Sequence, residues 1–216
     1  MGDTPLAWGA RNGHEAVVEL LLGRADIDPD KPGEDCKTPL MLAACGGHQG
    51  VVKMLLGRDD VNPNKLDRTG ETPLGWAAYY GEGGAVKILL GRDDVNPNTP
   101  GEGGITPLGW AAYCGNKGVV KILLGRDDVN PDCLDHRGQT PLSLAAEGGH
   151  AEVVEILLGR KDVDPNQADK DGRKPLCYAA ENGHTEVVDM LLKPDGSGIE
   201  CVNRCYECVA LDQGWG

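Results

Sequence analysis

The chain has 216 residues, room for one or two domains, and its 34 acidic against 21 basic side chains leave a net charge of −13. That balance excludes a nucleic-acid surface, which needs clustered Lys and Arg, and an anionic membrane face. No apolar run approaches the roughly 18 residues of a spanning helix. Four Trp, five Tyr and no Phe stand against 32 Gly. The core must therefore close-pack small and branched aliphatic groups, in a shape that needs no single thick centre.

In chain order, Met1-Gly2-Asp3-Thr4-Pro5 lacks the basic-then-apolar layout of a secretory signal. Thr-Pro-Leu then begins at Thr4, Thr38, Thr72, Thr106 and Thr140, and Lys174-Pro175-Leu176 continues the series at a constant step of 34 residues. Gly-Arg recurs in phase, from Gly23-Arg24 to Gly159-Arg160. A fixed period of this size means a solenoid, whose units bury their apolar faces only against their neighbours. Within a unit, Thr suits a helix N-cap and Pro the first helical position. Thr72-Pro73-Leu74 thus predicts a short helix to about Tyr80, closed by Gly81. A second helix follows, burying Val86, Ile88, Leu89 and Leu90 and stopped by Gly91. Asp93-Asp94-Val95-Asn96-Pro97-Asn98 is loop chemistry, and a Gly before the next Thr-Pro-Leu marks a tight turn. The expected fold is an all-α solenoid of helix-turn-helix units with β-turn tips, with five full units and a partial sixth over 1–193. Residues 194–216 form a tail, expected to supply a capping helix. The first unit lacks a preceding turn, which suggests a fragment, a short gene product or a domain cut from something longer, and an end that frays.

Several residues invite chemistry. His14, His48, His150 and His184 share one repeat position, with Glu82 and Asn116 in the other two units. A residue used in every unit builds a turn. Arg24, Arg58, Arg92, Arg126 and Arg160 form a ladder beside acidic residues, which reads as a self-neutralised surface. Trp8, Trp76 and Trp110 share a slot with Leu42, Leu144 and Tyr178, which reads as core. No cofactor motif or phosphate loop is present, and no enzyme is expected. The eight cysteines are irregularly spaced, so free thiols in a reducing cytoplasmic or nuclear compartment are expected. Cys201, Cys205 and Cys208 would share one helix face and could gather a metal, but they lack the fourth ligand of a structural zinc site.

Thr-Pro-Leu-x-x-Ala-Ala-x-x-Gly-His, followed by Val-Val-x-x-Leu-Leu, Asp-Val-Asn and Asp-x-x-Gly, resembles the ankyrin repeat over about residues 4–193. The Gly-Arg-Asp-Asp-Val-Asn-Pro variant is similar to fungal-type arrays, which often end NACHT-type receptor proteins. Two departures stand out. The family's His after Thr-Pro-Leu is replaced by Ala7, Met41, Gly75, Gly109, Ser143 and Cys177, which implies less rigid turns. Cys36 stands where the first turn should have Gly.

Units three and four share 23 of 34 residues. They differ at Tyr80 against Cys114, just after it, and along the turn at 98–105 against 132–139. In the family resembled, such positions line a concave partner-binding face. The resemblance thus implies a site of Arg68, Thr69, Glu71, Tyr79, Tyr80, Glu102, Ile105, Tyr113, Cys114, His136, Arg137, Gln139, Glu147, Lys170, Asp171 and Arg173. The expected function is non-enzymatic binding of a protein partner by a monomer. One alternative is a regulatory or sensor fragment of a larger fungal-type receptor. Another is a metal- or redox-responsive protein acting through the tail cysteines.

Overall fold

The computed structural model describes residues 2–192. Cys201, Cys205, Cys208 and the expected capping helix lie outside the described residues. Six helix pairs follow one another: α1 Pro5–Arg11 with α2 Glu15–Leu22, α3 Pro39–Cys45 with α4 Gln49–Leu56, and α5 Pro73–Tyr79 with α6 Gly83–Leu89. Then come α7 Pro107–Tyr113 with α8 Lys117–Leu124, α9 Pro141–Glu147 with α10 Ala151–Leu158, and α11 Pro175–Glu181 with α12 Thr185–Leu191. Among the described residues there is no strand. The architecture is the all-helical solenoid that the period predicts.

Each first helix starts as its sequence dictates. The Oγ1 of Thr4, Thr38, Thr72, Thr106 and Thr140 accepts the backbone N–H three residues on, at 2.9–3.2 Å. Pro occupies the first turn, where its missing donor costs nothing. A run of Leu40, Leu74, Leu108 and Leu142 with Ala44, Ala78, Ala112 and Ala146 is buried from unit to unit. The small alanines let successive first helices approach closely, and these make the heaviest contacts of the stack. Second helices add Val52, Val86, Val120 and Val154, with Leu55, Leu89, Leu123 and Leu157, all fully buried. Of the four residues expected to face inward on the second helix of unit three, Val86, Leu89 and the C-cap Leu90 do so, while Ile88 is half-buried. Burying such a side chain stabilises by about 1.5–3 kcal/mol.

The loops bind neighbouring units together. Arg58, Arg92, Arg126 and Arg160 each grip the Asp two residues on with Nε and Nη2, at 2.7–2.9 Å. Their Nη1 reaches back to a carbonyl at the end of the preceding unit's second helix: Leu22, Leu56, Leu90 and Leu124 respectively. Those carbonyls lack intrahelical partners, and a cation suits a helix C-terminus. The ladder is therefore self-neutralised, as its acidic neighbours imply, and it is also a set of inter-unit clasps. Arg24, which has no unit before it in the described chain, binds only Asp26.

The histidine position works similarly on the other side. His48, His150 and His184 place Nε2 against the carbonyls of Arg11, Tyr113 and Glu147 at 2.9–3.0 Å. Asn116 donates to the carbonyls of Ala78 and Tyr79. The rings lie over glycines of the preceding unit. A Cβ on Gly115 (φ +71°) would come within 2.5 Å of His150 Nδ1, so both conformation and space exclude a side chain there. Among the described cysteines, Cys36, Cys45, Cys114 and Cys133 are free. Cys177 is disulfide-bonded, so the expectation of free thiols throughout fails at that position.

Candidate functional site: an aromatic run on the turn side

The turns that precede Thr-Pro-Leu share one hydrogen-bonded frame. In the turn at 67–71, Asp67 N–H bonds Glu71 O and Gly70 N–H bonds Asp67 O; the turns at 135–139 and 169–173 repeat both bonds. The Asp carboxylate completes each of them. Asp67 Oδ1 accepts from the backbone of Thr69 and Glu71, Asp135 Oδ1 from Arg137 and Gln139, and Asp169 Oδ1 from Asp171 and Arg173. Successive tips are also tied by backbone bonds: Arg68 N–H to Asp35 O, His136 N–H to Gly103 O, and Lys170 N–H to Arg137 O.

On this frame stand the aromatics. Trp76 and Tyr79 lie on α5, Tyr80 caps it, and Trp110 and Tyr113 lie on α7. Trp76 stacks on Tyr80 at 5.8 Å between ring centroids and meets Tyr79 edge-on at the same distance. Tyr79 meets Trp110 at 5.3 Å, and Trp110 meets Tyr113 at 6.2 Å, both edge-on. The five rings thus form an unbroken run across two units. Lys37 Nζ lies 3.6 Å from the centre of the Trp76 ring, a cation–π contact. The tyrosines are 36% (Tyr79), 52% (Tyr80) and 43% (Tyr113) exposed.

The slot reads as core from its exchange with Leu, and Leu42, Leu144 and Tyr178 are buried there, whereas the three tryptophans keep part of their rings at the surface. Trp8 is exposed, and Trp76 and Trp110 are half-buried with their indole N–H groups spoken for. Trp76 Nε1 donates to Asp67 Oδ2 at 2.8 Å, and Trp110 Nε1 to Glu71 Oε2 at 2.6 Å. Tyr178, in the same slot, is buried and donates its hydroxyl to Asp169. Burial alone would raise the Asp67 pKa, but the hydrogen bonds from Thr69, Glu71 and Trp76 hold it below the usual carboxylate range. For Glu71 burial wins and pushes the pKa up, despite bonds from Thr72 N–H and Trp110. Trp76 and Trp110 are the members of this surface that sequence reasoning missed.

The remaining expected site residues fall into distinct places. Arg68, Thr69, Glu102, His136, Arg137, Lys170 and Asp171 are exposed on the turn tips. Arg68 faces Asp35 at 3.7 Å, and Arg137 faces the half-buried Glu147 at 3.6 Å. Ile105, Cys114 and Arg173 are half-buried, with Arg173 paired to Asp169 and Asp171 and lying over the Tyr178 ring. Glu71 and Gln139 are buried, at 2% and 0% exposure, so neither offers its side chain to solvent. Gln139 Nε2 instead donates to Glu147. Burial pushes the Cys45 thiol up to about 11 and raises Cys114 as well, which keeps both protonated and unreactive at neutral pH.

Three overlapping copies of the family described as Ankyrin repeats match the chain, over residues 6–100, 40–132 and 108–204. The chain belongs to the ankyrin-repeat family, whose units are non-enzymatic and generally mediate protein–protein interaction. No curated protein matches it.

Proposed function

We propose that this array binds a protein partner along its concave face, with the aromatic run at the centre of the contact. The observation that carries this is the unbroken series Trp76–Tyr80–Tyr79–Trp110–Tyr113, with three tyrosines exposed on a molecule otherwise poor in aromatics. Tyrosine brings large area at low entropy cost, and central aromatics dominate interface energetics. The turn-tip residues Arg68, Glu102, His136, Arg137, Lys170 and Asp171 carry both charge signs beside the run. They suit a polar rim that sets register more than affinity. The same face would serve an array that regulates a longer receptor-like chain.

The test is a quantitative pull-down followed by titration of the recovered partner. Tyr80→Ala or Tyr113→Ala should weaken binding by about 2 kcal/mol or more, the usual hot-spot threshold, with the melting temperature nearly unchanged. Arg24→Ala, on the loop edge, should leave binding intact. If both tyrosine variants bind normally while loop-edge variants do not, the partner docks on the loops and the assignment is wrong.

A further inference from the structure

The turns do not all own an Asp. Asp67, Asp135 and Asp169 complete three of them, but the equivalent residues in the other two are Gly33 and Gly101. Those turns keep the closing bond of the frame, with Gly33 N–H bonded to Lys37 O and Gly101 N–H to Ile105 O, both at 2.9 Å, and the Gly101 turn also has Gly104 N–H on Gly101 O. Each glycine leaves a space that a carboxylate from the preceding unit fills. A Cβ on Gly101 would stand 2.0 Å from Glu71 Oε2, and one on Gly33 would stand 2.1 Å from Asp3 Oδ1. Asp3 and Glu71 occupy the same repeat position, directly before Thr-Pro-Leu. Both are withdrawn from solvent: the Asp3 side chain is 5% exposed and Glu71 is 2% exposed.

The correspondence runs through the chain. Where the residue before Thr-Pro-Leu is acidic, Asp3 or Glu71, the next turn has Gly. Where it is Lys37, Ile105 or Gln139, the next turn has its own Asp. Gly75 fits the same scheme, because a Cβ there would come within 1.8 Å of Glu71 Oε1. The carboxylates do equivalent work in the two central turns. Asp67, from within its own turn, anchors Trp76; Glu71, from the unit before, anchors Trp110.

We propose that every inter-unit turn of this array takes one carboxylate, supplied either by its own Asp or by the acidic residue before the preceding Thr-Pro-Leu. In the central turn this makes Glu71 the positioning residue of Trp110 within the aromatic run. The consequence for partner binding rests on the function proposed above; the exchange of carboxylates between units does not. Two carboxylates in one slot would repel and overfill it, and an empty slot would leave an indole N–H and turn N–H groups without their acceptor.

The experiment is a mutant cycle on the full chain without any partner. Its readouts are melting temperature and hydrogen exchange at the indole N–H of each tryptophan. Glu71→Ala should speed exchange at Trp110 by about tenfold or more, the scale of one lost charge-assisted hydrogen bond, and leave Trp76 unchanged. Gly101→Asp alone should lower the melting temperature. Glu71→Ala with Gly101→Asp should restore both the melting temperature and the protection of Trp110. If Trp110 exchange ignores Glu71→Ala, or if the double variant is no better than the sum of its singles, the proposal is overturned. Should Glu71→Ala fail to fold, Asp3→Ala with Gly33→Asp gives the same cycle at the first turn, read by melting temperature with the same two outcomes. A cycle that succeeds while Glu71→Ala leaves partner affinity untouched would sink the binding surface and leave the carboxylate exchange standing.

Discussion

The loop edge and the turn side of the array solve one problem, holding each unit to the next, in opposite styles. On the loop edge the answer hardly varies. Four arginines make the same three contacts, and Asp28, Asn62, Asn96, Asn130 and Asp164 each turn a side-chain oxygen to the backbone N–H two residues on. On the turn side the answer changes from unit to unit: a carboxylate arrives from either of two residues, and the bridge to the preceding unit is made by His or by Asn, with Glu82 in its place in the third unit. A contact repeated without change is framework. Freedom to vary the means while keeping the frame is what allows two adjacent units to carry aromatics that packing does not demand. Exceptions within each style are the places to test this contrast.

The largest effect should come from breaking a clasp. Arg126 is two-thirds covered and joins Asp128 to the α6 end through Leu90 O. Arg126→Ala should cost about 1.5 kcal/mol, or roughly 4 °C in melting temperature, because a helix-end carbonyl loses a charged donor. Arg24→Ala removes only the exposed pair with Asp26 and should leave the thermal transition where it is. Equal losses in a melting experiment would show that the inter-unit contact contributes nothing.

Next comes a defect on the turn side. Cys36 holds φ at 61°, where the equivalent Gly70, Gly104, Gly138 and Gly172 lie between 79° and 84°. Left-handed backbone costs a side-chain-bearing residue about 1 kcal/mol. Cys36→Gly should return about that amount, seen as a higher denaturation midpoint. An unchanged or lower midpoint would mean that the thiol makes a compensating contact.

Much of this fold is legible in the sequence. The 34-residue step, the Thr-Pro helix starts and the Gly stops are local signals, and the folded units keep them. Tyr80 stands at a position where units three and four differ, while Tyr79 and Tyr113 enter through the resemblance to the family. Trp76 and Trp110 escape both signals, because exchange with Leu42 and Leu144 reports an apolar slot without saying which edge of a large ring is covered. The resemblance puts Glu71 and Gln139 on the binding face, but burial is set by neighbours the repeat pattern does not name; only the glycines at 75 and 101 betray the room made for Glu71. The Arg clasps were half legible. The Asp two residues on is adjacent in sequence, but the carbonyl lies 36 residues back, where no local pattern points to it.

An exception on the loop edge gives the third effect. At the position of Asn64 and Asn98, Nδ2 donates to the carbonyls of Asp94 and Asp128. Asp30 and Asp132 occupy that position in their units; one oxygen accepts from Asn62 or Asp164, and the other, Oδ1, is buried without a partner. Burial raises the pKa of both. Asp132→Asn supplies the missing donor and should stabilise by about 1 kcal/mol at neutral pH. The sign of the pH dependence follows from linkage. A carboxyl with a raised folded-state pKa binds its proton more tightly when folded, so its penalty grows as pH rises through that pKa. The advantage of Asn should therefore shrink as pH falls into the ordinary carboxylate range. A gain that persists undiminished at acid pH would point to packing instead.

The smallest effect concerns the one bridging position that cannot bridge. His48, Asn116, His150 and His184 all present a nitrogen to a carbonyl of the unit before. Glu82, in the same place on the third unit, has only acceptor oxygens when ionised. Its carboxylate lies over Gly47, where a Cβ would come within 2.0 Å of Oε2, just as the histidine rings lie over Gly13, Gly115 and Gly149. The cradle for an imidazole is thus already present. Glu82→His should fill it and bond the carbonyl at the end of α3, with a gain of about 0.5–1 kcal/mol, the net worth of one neutral hydrogen bond. The comparison is sharpened by Glu82→Asn, which copies Asn116 and should give a similar gain. Glu82→Gln removes the charge without matching either donor geometry and should give less. If Gln equals His in a chemical denaturation series, the benefit is loss of charge on an acidic chain, and the bridge itself adds nothing.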